Sequence, residues 1–140
     1  MKLSRRLLII VIIAVVIAAL AVGAVLKLTM KPHKVPPPTA AQLQAWQYPV
    51  TAITTNLEGT SIIQIQLTLQ TMNVKVVAEL TARSAQVDDS VISVLHGMSS
   101  QELFALNGRM ILKKKLIHLI NSYLTSGKIT AVYIQSLIVQ

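Results

Sequence analysis

Polarity divides the chain into three stretches. From Leu7 to Leu26 no residue is charged or strongly polar. At 1.5 Å per residue a helix of that length reaches roughly 30 Å, the hydrocarbon thickness of a bilayer. The pattern therefore predicts a membrane-spanning helix over residues 7–26. Val22-Gly23-Ala24 offers a small-residue cleavage site, but a removable signal sequence uses a shorter apolar stretch of about 7–15 residues. No face of the run is polar, which argues against a helix packed on a soluble core. Lys2, Arg5 and Arg6 precede the run and Lys27, Lys31 and Lys34 follow it. That is close to a tie for orientation, and the α-amino group tips residues 1–6 toward the cytoplasm.

The second stretch, residues 27–48, leads into a cluster of prolines. All five prolines of the chain, Pro32, Pro36, Pro37, Pro38 and Pro49, fall within or just after it. Proline fixes φ and donates no amide, so an extended linker is expected rather than an element. Trp46 and Tyr48 at its end are expected to dock on the domain that follows.

Residues 49–140 are patterned as a small domain. Thr51–Leu57 and Ser61–Thr71 read as strands joined by a turn at Glu58-Gly59. In the second, Ile63, Ile65, Leu67 and Leu69 alternate with Gln64, Gln66, Thr68 and Gln70, the period of a sheet with one buried and one wet face. The period then changes: Val76, Leu80, Val87, Val91, Val94 and Leu95, with a gap around Ser84, predict two helical pieces. Ser99-Ser100-Gln101-Glu102 matches a capping box that opens a further helix. Leu112, Leu116, Leu119, Ile120 and Tyr123 predict the apolar stripe of a longer helix ended by Ser126-Gly127. Lys128–Gln140 is apolar on both faces and rich in β-branched residues, which predicts an interior strand with Ile134 and Ile138 buried. The fold class expected is α+β, with strands, helices and a closing strand around a modest single core.

Charge and chemistry narrow the function. Only 13% of residues are charged, which excludes an acidic disordered chain. The formal net charge is +8, but residues 1–34 carry six cations and no acid, while the remainder holds seven cations against five acids. The excess flanks the apolar run, where basic residues meet lipid headgroups, and the few aromatics do not supply a nucleic-acid surface. There is no cysteine, so disulfides, thiol catalysis and cysteine-based metal sites are excluded. His33, His96 and His118 form no pair at i, i+3 or i, i+4, which argues against a metal site. No Gly-x-Ser-x-Gly elbow or glycine-rich phosphate loop occurs. No enzyme and no cofactor are expected.

Within the domain the charge is split. Residues 49–106 hold Lys75 and Arg83 against Glu58, Glu79, Asp88, Asp89 and Glu102; residues 107–140 hold Arg109, Lys113, Lys114, Lys115 and Lys128 with no acid. Lys113, Lys114 and Lys115 on one side and Asp88 and Asp89 on the other are the candidate self-association or partner surface. Asp88 and Asp89, being adjacent, are also expected to favour the first turn of their helix.

The order of these features resembles the FliL family, flagellar basal body-associated proteins. The resemblance rests on Thr55-Asn56-Leu57, Ile62 through Gln70, Glu79-Leu80, Arg83, Gln86-Val87, Asp89, Leu95, Glu102-Leu103, Gly108, Leu112-Lys113, Leu116, Asn121, Gly127-Lys128, Val132-Tyr133 and Ile138-Val139-Gln140. Ile134 and Leu137 stand where the family has aromatics, and Asp88 where it commonly has a basic residue. The resemblance implies a non-enzymatic, single-pass inner-membrane protein. Its domain would be extracytoplasmic and similar to the stomatin (SPFH) fold. Implied partners are the basal body, stator units, membrane lipid and further copies in a ring, in support of swimming, swarming and chemotaxis. A subunit of another envelope machine, or a binding domain released near Ala24, would share the anchor and spacer.

Overall fold

A computed structural model describes the backbone of residues 5–29 and 36–140, and the side chains of 9–24 and 36–140. Residues 1–4 of the expected cytoplasmic tail and 30–35 of the expected linker lie outside the described residues. Two compact units result, Met1–Pro37 and Pro38–Gln140.

The first unit contains helix α1 (Arg5–Thr29). Its run of Leu, Ile, Val and Ala is helical, and large side chains such as Ile10, Val15, Ile17 and Leu20 are exposed. Side chains are described from Ile9 to Ala24, about 24 Å of helix. Among the described residues no helix is long and apolar enough to cross a membrane.

The second unit opens with α2 (Ala40–Ala45). Thr39 and Gln42 form a reciprocal capping box, with the Thr39 amide donating to Gln42 Oε1 at 2.9 Å and the Gln42 amide to Thr39 Oγ1 at 3.3 Å. The expected extended linker thus gives way to helix at residue 40, because that cap satisfies amides which the prolines upstream do not carry. The first strand, β1 (Gln47–Asn56), also starts earlier than residue 51. Pro49 does not interrupt it, since β1 is an edge strand on which the missing amide is not needed. A turn through Gly59, at φ +96°, leads into β2 (Ile62–Thr71).

β2 lies between β1 and the last strand, β3 (Ile129–Val139), in a three-stranded antiparallel sheet. Ile63, Ile65, Leu67 and Leu69 are essentially inaccessible, as the alternation requires. Thr68 and Gln70 are buried as well, and Gln70 Nε2 donates to the carbonyls of Leu43 and Trp46 at 3.1 and 3.2 Å. The segment joining α2 to β1 thus covers one end of the otherwise wet face.

The expectation of an interior last strand is corrected. β3 is at the sheet edge; only Ile129 and Val132 are buried, Ile134 is half-buried and Ile138 is 48% exposed. The helices that follow β2 cover one face of the sheet only, so apolar residues near the far end of β3 on the other face have no helix to pack against. The interior strand is β2.

Four helices follow β2. The helical pieces α3 (Val74–Ala82) and α4 (Ser84–His96) break at Arg83, beside the expected gap. Asn73 caps α3 by accepting from the amides of Lys75 and Val76 at 2.9 and 3.1 Å. The short α5 (Ser100–Phe104) is held by the predicted box, Ser99 with Glu102. The last helix, α6 (Gly108–Asn121), stops short of Ser126-Gly127, so Tyr123 lies past its end. Gly108 lies so close to the Glu102 and Leu103 carbonyls that no Cβ fits there. Val76, Leu80, Val87, Val91, Leu95, Leu103, Leu112, Leu116 and Ile120 close the core against the sheet. The buried cluster runs from Val50 to Val132, all within the Pro38–Gln140 unit.

Three substitutions separate this arrangement from the interior-strand alternative. Leu67→Ala should cost about 2–5 kcal/mol, and Gly108→Ala about 1–3 kcal/mol through overpacking. Ile138→Ala should change stability by no more than about 0.5 kcal/mol. Urea unfolding of the Pro38–Gln140 unit measures all three; an Ile138 loss as large as that of Leu67 would place β3 inside.

Candidate functional site

The five charged residues of the candidate surface lie on helices that pack against each other, α4 and α6. Asp88 is half-buried and Asp89 exposed. Since α4 begins at Ser84, both fall in its second turn and not in the first turn, where their charge was expected to act on the helix dipole. On α6 the buried residues Leu112 and Leu116 bracket Lys113, Lys114 and Lys115; the first is half-buried and the other two are exposed. Among the described residues the only ion pair joins Arg83 to Glu79, Nε to Oε1 at 3.3 Å. None of the five candidates is neutralised within the domain. Lys114 also borders an open depression of about 430 Å³ with Ile117, His118, Asn121, Ser122 and Lys128. His118 is exposed there.

The acid that the structure employs is Glu79. Its carboxylate accepts from the Thr125 amide at 3.0 and 3.1 Å, the Thr125 hydroxyl at 3.0 Å and the Ser126 amide at 2.8 Å. These bonds tie the last turns of α3 to the loop between α6 and β3, across 46 residues of chain. Above all the Ser126 amide, with Thr125 adding to it against the opposing effect of burial, holds the carboxyl down at about 2. Arg83 extends the cluster, donating to Gln86 Oε1 at 3.1 Å and lying 5.9 Å from the centre of the Tyr123 ring. Ser90 Oγ donates to the Gln86 carbonyl at 2.7 Å and meets the Tyr123 hydroxyl at 3.3 Å. Burial raises the Tyr123 phenol, and also that of Tyr48, where the Asp88 carboxylate adds to the effect. Tyr48 packs on the core, as its position at the start of the domain suggested.

In the sequence Glu79 and Arg83 figure in the charge split and the family resemblance, and Gln86 in the resemblance alone. Their i, i+4 and i, i+3 spacings were the available signal that they share a surface; the partner loop at Thr125-Ser126 had none. A second feature that sequence reasoning missed is an exposed apolar group, Phe104, Leu106, Met110 and Ile111. All four fall outside the stripe 112–116–120, which was the sign that they do not belong to the core. Asn121, which entered only as a point of resemblance, brackets the start of β3 by bonding both the amide and the carbonyl of Ile129 at 2.8 and 3.1 Å. Among the described residues no group of His, Asp and Glu side chains is placed to hold a metal ion.

A family model described as flagellar basal body-associated protein FliL matches residues 47–140, from the first residue of β1 to the last of the chain. Flagellar protein FliL of Bacillus subtilis (strain 168) is 41% identical over 87 residues, which cover 62% of this chain and 62% of that protein. Flagellar protein FliL of Aquifex aeolicus (strain VF5) is 26% identical over 110 residues, covering 79% of this chain and 68% of that protein. The chain thus spans a little less than two thirds of the Bacillus relative.

The Glu79 cluster has a pH signature. A carboxyl at about 2 when folded, against an ordinary 4.5, binds fewer protons folded than unfolded. Its stabilisation is therefore complete above the ordinary value and is lost as pH falls toward the folded one. Thermal melts of the parent domain and Glu79→Gln should differ most near neutral pH and converge in acid. A gap that does not depend on pH would show that Glu79 acts only through its shape.

Proposed function

The chain belongs to the FliL family of flagellar basal body-associated proteins, and from that membership we propose that it is a non-enzymatic, membrane-anchored supporter of the flagellar motor. In this reading residues 7–26 span the inner membrane once, with residues 1–6 in the cytoplasm. The linker, residues 27–48, carries an extracytoplasmic domain, residues 49–140, of the stomatin (SPFH) type. The exposed apolar side chains of α1 support the anchor, since a bare surface of that kind in water is an aggregation liability and in lipid is not.

The observation that carries the mechanism is the charge split. Acidic Asp88 and Asp89 and basic Lys113, Lys114 and Lys115 have no ionic partner within the domain. We infer that the acidic side of one copy meets the basic side of the next. Contacts of that head-to-tail kind are heterologous, and when the rotation closes they make a ring, here around the extracytoplasmic part of a stator unit. Exposed pairs contribute only about 0–1 kcal/mol each. Assembly then depends on many such pairs and on confinement of all copies to one membrane, which raises their effective concentration.

Reversing Lys113, Lys114 and Lys115 together to glutamate should reduce crosslinked oligomers in membranes and impair swimming while the domain stays folded. Adding Asp88→Lys and Asp89→Lys should partly restore both, and raised salt should weaken the parent oligomer. Unchanged crosslinking and swimming in the triple variant would refute the contact and leave those lysines as a solvated face.

A further inference from the structure

The junction between α5 and α6 is the most exposed apolar site of the Pro38–Gln140 unit. Leu106 is 100% exposed, Phe104 58%, Met110 48% and Ile111 44%, all within one short stretch of chain. Their exposure follows from the local geometry. Leu103 and Leu112 take the core positions on either side, and Gly108 holds the two helices backbone to backbone. The intervening loop, Ala105–Asn107, is thereby pushed outward. Single exposed apolar residues are ordinary; four adjoining ones at a protruding turn mark a surface that meets another apolar phase.

The charge around the junction points to what that phase is. Arg109 lies within the group and is exposed. Further along α6, Lys113, Lys114 and Lys115 stand one turn beyond Arg109, Met110 and Ile111, and that helix carries no acid. Glu102, the nearest acid along the chain, lies on α5 and accepts from the Ser99 amide as its capping partner. An apolar tip set in a basic surround is the combination that binds acidic bilayers, with side chains entering the headgroup–acyl boundary and cations meeting the lipid phosphates. A protein partner for this junction would need an acidic, apolar surface of its own.

We propose that the α5–α6 junction, Phe104, Leu106, Met110 and Ile111 with Arg109, is a second membrane contact that rests on an acidic lipid surface. None of the five junction residues is a lysine assigned to contacts between copies, although those lysines adjoin the junction on α6. It relies on the anchored reading only for proximity to lipid. A domain held at two points would be fixed in orientation on the membrane, where one flexible tether would leave it free to tumble.

The chain has no cysteine, so Leu106→Cys gives a unique attachment point for an environment-sensitive fluorophore. The labelled full chain would be reconstituted into vesicles of phosphatidylcholine with phosphatidylglycerol and compared with Thr60→Cys, on the exposed β1–β2 turn. The proposal expects blue-shifted emission at position 106, quenching by membrane-buried quenchers, reversal in high salt and none of these at position 60. Water-like emission at 106, in vesicles that release the chain only to detergent, would overturn the contact and leave the anchor intact. Shielding that lipid quenchers do not reach, and that grows with protein density, would overturn it in favour of a protein partner. Should the full chain not be retained by vesicles, the anchor fails and the Pro38–Gln140 unit, whose core is its own, decides. Salt-sensitive co-sedimentation with phosphatidylglycerol vesicles, weakened about fivefold by Arg109→Gln and about tenfold by Leu106→Ala, would uphold the contact. Absence of co-sedimentation would overturn it.

Discussion

The structure depends on one strand with neighbours on both sides. β2 gives its hydrogen bonds to β1 and β3 alike, and it alone places an unbroken row of Ile and Leu against the helices. A three-stranded sheet cannot close on itself, so its two outer strands keep one open edge each. The helices α3, α4 and α6 cover one face only, and their buried residues converge on the row from Ile63 to Leu69. Shifting β2 by one residue would turn those four side chains to solvent and bring Gln64 and Gln66 into the core. Register here is therefore set by burial, and the rest of the domain is arranged around it.

Polar clamps hold the periphery to this centre. Glu79 binds the loop before β3 from α3, and Asn121 brackets the first residue of β3 from the end of α6. Both act where the chain changes direction and backbone amides would otherwise go unpaired. The entry into edge strand β3, from Thr125 to Ile129, is thus fixed by side chains, whereas its far end is held by the paired backbones of Ile62 and Gln140.

Much of this was legible in the sequence because it is local. The alternation in Ile63–Gln70, the two helical periods meeting at Arg83 and the Ser99–Glu102 box each depend on residues a few positions apart. What was not legible depends on distance. Uniform apolarity in Lys128–Gln140 fits an interior strand as well as an edge strand, and only the neighbour on the far side distinguishes them. Thr39–Gln42 is a capping box hidden behind prolines, whose rigidity argued for an extended chain. For the candidate surface, the split of charge was readable by counting, whereas the separation of Glu79 from the other acids was not. Nothing in its sequence neighbourhood announces Thr125 and Ser126 as its partners.

That separation bears on function. An acid that is bonded several times over has little left to offer a partner, and Glu79 in this way binds the domain to itself. Asp88 and Asp89 lie only a few turns away on the next helix, yet no cation of the domain pairs with them. The same sequence-level property, a carboxylate on a helix, thus divides into a structural use and an available one according to what the fold brings opposite it. Exposed charges of the second kind are weak one by one. Their effect becomes appreciable when copies share a surface that removes translational freedom before the contacts form. In the proposed arrangement the apolar helix of the same chain would hold copies in one membrane, so that the membrane supplies the concentration and the unpaired charges supply the orientation.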